Sequence, residues 1–219
     1  MSFSEHLDDL FKVHFAAMEC EHGIKRSNKS DKWTPFTPSK FIYSYFAFNS
    51  LYSVDWKNSV KKGQFVVLDW KSHYELDKID EMEKFIKNVL KDEFAKRLPE
   101  YIEKHLGNIS VERAKNELKN IQSNSRIGKS LIDRFRESFN NVMEGQKLGS
   151  SVERILHFVY HVRNNVFHGT KKILSTSASQ NKRLTIYTAI LLAMNDLLFE
   201  AVEATTDWKK DRVLRDQKP

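Results

Sequence analysis

The sequence predicts an all-α protein, from three observations. Glycine and proline are scarce, with 7 and 4 among 219 residues, which argues against a β fold with many turns. Apolar residues recur every three or four positions over most of the chain, the spacing of amphipathic helices. Hydrophobic residues make up 40% of the chain and include 15 Phe, enough to fill a helical core. We therefore expect one helical domain over residues 1–206 and a charged tail over 207–219 that frays.

The first two helices are predicted from their termini. Ser2 and Glu5 have the spacing of a capping box, so a helix should follow them. We interpret His14, on this helix, as structural or solvated. The segment 23–40 is rich in Ser, Lys and Pro, which is typical of a loop. A second helix should start near Thr37. It carries an aromatic stripe that consists of Phe41, Tyr45, Phe48 and Tyr52. This stripe predicts a packed core or a dimer face rather than a platform for stacking bases.

The middle of the chain predicts further helices. Apolar residues keep helical spacing over 77–98, and Pro99 should open a short helix that ends at residue 107. The segment 110–122 is polar for most of its length and is expected to be an exposed helical arm. A helix is also expected over 131–143, with an inward face made of Leu131, Phe135, Phe139 and Val142.

The last helix, the N-terminus and the cysteine count indicate whether the protein spans a membrane and in which cellular compartment it works. The apolar segment that begins at residue 184 contains Asn195, Asp196 and Glu200, which favours a central buried helix over a membrane span. The N-terminal residues are acidic where an export signal needs positive charge. Cys20 is the one cysteine, which excludes an internal disulfide and a zinc site built on cysteines. We therefore expect a cytoplasmic protein. Its 36 Lys and Arg exceed its 29 Asp and Glu, which favours a polyanionic partner.

The segment 151–169, SVERILHFVYHVRNNVFHG, predicts a helix with two different faces. At about 100° per residue, one side is apolar and should face the core, and it consists of Ile155, Val159, Val162 and Val166. The opposite side is a polar stripe that consists of His157, His161, Asn164 and His168. Arg163 lies on the flank between these two faces. Gly169 suits the C-terminal end of the helix, so His168 lies at that end.

Three of these side chains supply what metal-free cleavage of a phosphodiester needs. His168 can take the proton of a 2′-hydroxyl or give one to a leaving 5′-oxygen, because the pKa of histidine is near 6.5. Arg163 matches the geometry of a phosphate and can stabilise its extra negative charge. Asn164 can orient either group. The attacking 2′-hydroxyl makes the substrate RNA. Spacing alone, however, would favour a salt-bridged arginine and a hydrogen-bonded histidine.

The residue types of the motif and their order add to this interpretation. RNNVFHG, at 163–169, resembles the R-x4-6-H motif of the HEPN superfamily (higher eukaryotes and prokaryotes nucleotide-binding), and FIYSYFAFNSLY, at 41–52, is similar to the aromatic helix that precedes it. The resemblance implies a HEPN-like helical bundle in which residues 57–122 are an extended helical insertion. It also implies a homodimer in which two motif helices face each other and form a composite site.

The resemblance implies a metal-independent endoribonuclease of a toxin–antitoxin or antiviral defence system, with an antitoxin or regulatory protein as a possible partner. Arg163 and His168 then take the catalytic places, and Asn164 takes the supporting polar place. Further contacts to the RNA substrate are expected from His157, His161, Lys171 and Lys172. A tyrosine that is modified in one branch of the family is replaced here by Thr170, so that form of regulation does not carry over.

Two other functions and one other site stay open. Some branches of the family are catalytically inactive modules that bind a nucleotide, RNA or a protein, and a purely structural dimerisation domain would also explain the motif helix. The spacing of His157 and His161 suits a metal ion, but no HExxH glutamate lies between them. A third ligand would have to be His168 or Glu153. We therefore expect no metal and no cofactor.

Overall fold

The fold is a bundle of α-helices with one short β-hairpin. The computed structural model describes residues 3–19, 25–27, 30–34, 37–52, 92–123, 127–167, 178–205, 207–211 and 213. In these residues the elements are α1 (Phe3–Glu19), β1 (Lys25–Ser27), β2 (Ser30–Thr34), α2 (Thr37–Tyr52), α3 (Asp92–Leu106), α4 (Val111–Lys119), α5 (Lys129–Met143), α6 (Leu148–Phe167) and α7 (Ala178–Thr205). Helices carry most of the core, so the all-α prediction is confirmed.

The hairpin corrects one prediction. Residues 23–40 were expected to be a loop from their polar composition, but β1 and β2 pair in antiparallel fashion, with Lys25 opposite Thr34 and Arg26 opposite Trp33. Two strands of three and five residues are too short for their composition to show an alternating pattern. Main-chain hydrogen bonding, which any residue except proline can provide, forms this pair.

Helix α7 is the centre of the bundle, as its apolar sequence predicts. Helices α2 and α3 make most of the contacts with it, and residues 186–195 are all buried. The buried Asn195 donates its Nδ2 proton to the carbonyl oxygen of Ser44 on α2, at 3.1 Å. By length and composition Gln180–Ala204 would pass for a membrane span, but 83% of its most apolar window is buried inside the bundle. Core helices of soluble proteins have this property, so the structure is compatible with a soluble protein.

Helix α6 buries the apolar face that its sequence predicts, and it buries more residues than predicted. Ile155, Val159, Val162 and Val166 are all buried, which confirms the apolar face. The buried face is wider than predicted because Phe158 is also enclosed. Its ring stacks on Phe135 of α5 with 4.0 Å between ring centroids, and it meets the edge of Tyr187 of α7 at 5.6 Å. These aromatic contacts join α6 to α5 and to Tyr187 of α7, and they fix which side of α6 faces solvent.

Helices α3 and α4 differ from the prediction. Pro99 lies inside α3 and does not open it; the buried Leu98 and Ile102 hold the helix on both sides of the proline. Helix α4 is no exposed arm, because Ala114 and Leu118 are buried under its polar surface. Residues 92–122, assigned to an insertion, therefore contribute to the core. The expected helix over 77–91 lies outside the described residues.

The C-terminal end of α4 is held by one arginine of α5. Arg136 donates to three main-chain carbonyl oxygens at 2.8–2.9 Å, those of Leu118, Lys119 and Ile121. The carbonyl oxygen of Leu118 also accepts from the main-chain nitrogen of Ile121. For Lys119, at the end of the helix, the arginine supplies a partner that the helix itself does not provide. Lys182 of α7 adds an ion pair with Glu117, at 2.9 Å. A polar helix is thus fixed to the bundle from two sides.

The residues that follow α7 also depart from the prediction. Trp208, placed in the fraying tail 207–219, is only 3% exposed. Its ring stacks on Phe199 at 5.5 Å and meets Phe11 of α1 at 5.6 Å. Its Nε1 proton is donated to Asp8 Oδ1 at 2.7 Å. The composition of this segment is charged, but a single large aromatic ring anchors its beginning to the core. Residues 214–219 lie outside the described residues.

Candidate functional site

The candidate site is the solvent-facing side of α6. His157, His161 and Asn164 are half-buried on this side, while Phe158, Val159 and Val162 between them are buried. The contrast in burial follows the helical periodicity, which confirms that the polar stripe and the core face are opposite. Arg163 is also half-buried, on the flank toward α2. The neighbouring Asn165, in contrast, is 5% exposed and belongs to the interior.

Arg163 is held by two contacts in its surroundings. Its Nη1 donates to Asn164 Oδ1 at 2.8 Å, and its guanidinium carbon lies 5.3 Å from the ring centroid of the buried Tyr45. A cation over an aromatic face is attracted by the negative charge of that face. Five N–H donors allow one guanidinium to serve several acceptors at once. The predicted catalytic arginine and its supporting asparagine are therefore adjacent and oriented.

The two histidines of the stripe form a stacked pair. The ring centroids of His157 and His161 are 5.1 Å apart, and the ring planes differ by 18°. Tyr160 approaches His161 edge-on, with 6.1 Å between centroids. Burial lowers the pKa of His161 below 6.5, and the charge of His157 lowers it further. At neutral pH His161 is therefore mainly an uncharged imidazole with a lone pair to offer.

Some of the predicted site lies beyond what the structure describes. His168, the predicted acid and base, falls outside the described residues, as do Lys171 and Lys172. Their roles stay predictions. Arg163 and Asn164 are brought together, and His157 and His161 share the stripe with Asn164. Within the described ranges, no group of three or more His, Cys, Asp and Glu side chains is arranged to hold a metal ion.

Sequence reasoning missed a polar cluster on α7. Asp196 accepts hydrogen bonds from His14 Nε2 of α1 and from His105 Nε2 of α3, each at 2.7 Å. Burial raises the pKa of Asp196, but the hydrogen bonds from His105 and His14 outweigh it and hold the pKa well below the ordinary value of 3.8. His14 is completely buried, which confirms its structural interpretation.

A second polar group lies one turn further along α7. Glu200 accepts a hydrogen bond from Tyr101 and pairs with Arg97 at 2.8 Å. Burial and the hydrogen bond with Glu200 raise the pKa of Tyr101 to about 12. The signal for both groups was present in the sequence, since acids inside an apolar helix require buried partners. The partners come from α1 and α3, far away in sequence, so they could not be named in advance.

A comparison with protein-family models matches no family to this chain, and comparisons with curated proteins and with solved structures give no match. The fold and the site define a basic helical bundle with an arginine, an asparagine and a histidine pair on one partly exposed helix face.

Proposed function

We propose that this protein is a HEPN-type, metal-independent endoribonuclease that acts as a homodimer in the cytoplasm, in a toxin–antitoxin or antiviral defence system. The observation that carries the proposal is the Arg163–Asn164 pair, at 2.8 Å on a partly exposed helix face, inside the motif RNNVFHG. The net charge of +7 supports a polyanionic substrate. An antitoxin or a regulatory protein is the proposed partner.

The proposed reaction needs no metal and uses the substrate's own nucleophile. His168 removes the proton of the 2′-hydroxyl, whose oxygen attacks the adjacent phosphorus while the bond to the 5′-oxygen breaks. A proton returns to the leaving 5′-oxygen from an imidazolium, so that a 2′,3′-cyclic phosphate and a 5′-hydroxyl result. Arg163 stabilises the extra charge of the pentacoordinate phosphorus, and Asn164 holds the guanidinium in place.

The proposed dimer places two α6 helices side by side, so that the two Arg/His sets form one composite cleft. His161 and His157 extend the stripe away from Asn164 by about one and two turns of the helix. Both are proposed to contact the RNA on the same side of the scissile phosphate. Lys171 and Lys172 are proposed to contact phosphates.

The experiment that tests this function is RNA cleavage in EDTA. Wild type should cleave cellular RNA, whereas Arg163→Ala and His168→Ala should each lose at least about a hundredfold in rate, the size expected for a general acid–base or an electrostatic catalyst. Arg154→Ala is a matched control, because Arg154 is an exposed arginine on the same helix. Equal cleavage by wild type and by both site variants would show that another residue, or a contaminant, performs the reaction.

The second candidate is a catalytically inactive HEPN-like module that binds a nucleotide, RNA or a protein. It is favoured by the way in which Asn164 and Tyr45 hold Arg163, since such contacts also suit a residue that stabilises an interface. This function predicts RNA binding that depends on Arg163 without turnover of any RNA. Product analysis therefore separates the two candidates, because only the nuclease leaves cyclic phosphate ends.

A further inference from the structure

The outer face of α2 differs in composition from the exposed faces of α1, α3, α4 and α5. Residues 41–52 contain no charged side chain, in a chain of which 30% is Asp, Glu, Lys and Arg. Among the described residues, the large hydrophobic side chains that stay exposed are Tyr43 and Phe46, at 45% and 41%. The other four helices each expose charged side chains, for example Lys12, Glu100, Arg113 and Glu137. Helix α2 therefore presents aromatic rings without charge on its outer face.

The two exposed rings are not part of the aromatic stripe that the sequence predicts. Phe41, Tyr45 and Phe48 of that stripe are buried, and α2 makes most of its contacts with α7 and α1. Tyr43 and Phe46 are three residues apart, so they are neighbours on the other side of the helix. The predicted stripe belongs to the core, and a second aromatic surface lies outside it.

The outer face of α2 borders the candidate site on α6. The ring centroid of Tyr45 lies 5.3 Å from the guanidinium carbon of Arg163. Ile42 and Asn49 are three residues before and four residues after Tyr45, so both adjoin it on the helix surface. Both are half-buried, and at about 100° per residue they lie between Tyr45 and the exposed Phe46. A molecule that binds to the outer face of α2 therefore comes close to the arginine of α6.

We propose that the outer face of α2 binds a second copy of this chain, with Tyr43 and Phe46 of each copy at the centre of a two-fold contact. In such a contact, residues near the axis meet their own copies. A charged side chain there would meet a like charge, and two chains of net charge +7 already repel each other. A face without charge avoids this repulsion at the axis. Aromatic rings with few charged residues are also typical of the core of an interface.

The same composition argues against RNA as the molecule that binds to this face. Surfaces that bind single-stranded RNA combine aromatic rings with a positively charged groove along the backbone. Residues 41–52 contain no lysine or arginine that could contact a phosphate. The exposed rings of α2 therefore suit an uncharged protein surface, and the second copy supplies one.

The contact has a consequence for the composite cleft, which rests on the proposed function. Because the outer face of α2 borders Tyr45, two copies joined there bring both Arg163 side chains close to one interface. Separating the copies should therefore reduce RNA cleavage as well as association. Association itself does not depend on the nuclease, so the two proposals can fail separately.

The test is sedimentation equilibrium of the full chain with a pair of charge variants. Wild type should sediment at twice the 25.7 kDa of one chain. Tyr43→Glu and Tyr43→Lys should each raise the dissociation constant of the dimer at least about a hundredfold, because each substitution occurs twice in a two-fold contact. An equal mixture of the two variants should associate again, since opposite charges then meet across the axis. Arg113→Glu, on the exposed side of α4, is the control and should associate like wild type.

The side chain of Tyr43 is exposed, so neither substitution places a charge in the core, and circular dichroism checks that each variant keeps its helices. A monomeric wild type, unchanged association in both variants, or a mixture that stays monomeric would overturn the contact. A monomeric wild type whose variants also unfold at lower urea would show that the chain itself covers this face.

RNA cleavage in EDTA by the same proteins separates the two proposals. Loss of association and cleavage in both variants, with recovery of both in the mixture, supports the contact and the composite cleft. Loss of association with wild-type cleavage supports the contact on α2 and contradicts the composite cleft. Variants that still form dimers but no longer bind or cleave RNA would overturn the contact in favour of RNA on this face.

Discussion

Asp196 connects three helices, so replacing it should show how much that connection stabilises the fold. Its two carboxylate oxygens accept from His14 on α1 and from His105 on α3, at 2.7 Å each. The side chains of these histidines are 0% and 11% exposed, so neither can be solvated freely when the acceptor is lost. Asp196→Ala removes both acceptors and leaves two buried N–H groups unsatisfied.

The magnitude follows from the number of unsatisfied groups. Each buried donor without a partner costs about 1–3 kcal/mol, so the loss of two partners in Asp196→Ala should lower the free energy of unfolding by about 2–6 kcal/mol. This is a large part of the stability of a typical domain, about 5–15 kcal/mol. Asp196→Asn keeps one acceptor oxygen and should cost about half as much.

Urea unfolding followed by circular dichroism measures this loss. Lys104→Ala is the matched control, because Lys104 lies 3.4 Å from the same carboxylate but its side chain is 66% exposed. An exposed ion pair contributes about 0–1 kcal/mol. The difference between the two variants therefore isolates the buried histidine contacts from simple charge loss.

The pH dependence provides an independent check. The pKa of Asp196 is depressed in the folded protein, so the stability from its ionised form is fully present above the ordinary value of 3.8 and is lost as the pH falls below it. Asp196→Asn should therefore lose less stability than wild type between pH 5 and pH 3. A variant that unfolds at the same urea concentration as wild type, with the same response to acid, would refute this reasoning.

Three other changes test separate parts of the structure. Trp208→Ala should lower the free energy of unfolding by about 3–5 kcal/mol, because it empties an aromatic site; an unchanged urea midpoint would contradict the packing of this segment. Arg136→Ala should destabilise α4 by about 1–3 kcal/mol by removing three hydrogen bonds to the carbonyl groups at its C-terminal end, seen as faster hydrogen exchange over 111–119. The exposed Arg134, which bonds only Ser130 in the described contacts, serves as its control, and equal exchange in both variants would count against the clamp. Arg163→Lys should retain the charge but lose bidentate contact with phosphate, so RNA cleavage in EDTA should fall at least about tenfold; wild-type rates would show that any cation suffices.

The sequence predicts the structure best where the apolar residues of a helix follow one regular repeat. The core face of α6 and the central position of α7 follow from their apolar residues alone, because a helix displays its sequence at a fixed angle. The failures are equally physical. Proline suits a first turn, which predicts a helix start at Pro99, yet the buried residues on both sides outweigh this local preference. The mainly polar residues of α4 predict an exposed arm, yet two buried residues suffice to anchor it.

The candidate site was predictable in part for the same reason. Periodicity places His157, His161 and Asn164 on one stripe, and all three are half-buried on α6. The contact between Arg163 and Tyr45 of α2 could not be predicted, because it joins residues more than a hundred positions apart. The histidine and aspartate cluster was hidden for the same reason. The sequence around one residue of such a contact does not indicate which distant residue it will meet.

The hydrogen bond between Asp8 and Trp208 spans 200 positions, and it has a consequence for biosynthesis. A ribosome makes α1 well before the ring that covers it and the carboxylate that binds His14, which lie 200 and 182 positions further along the chain. Contacts between residues so distant in sequence form slowly, so the part of α1 that Phe199 and Trp208 cover stays exposed until α7 has been made, even if α2 already packs on the rest of the helix. We therefore expect the nascent protein to depend on chaperones that cover this part of α1 until α7 has been made.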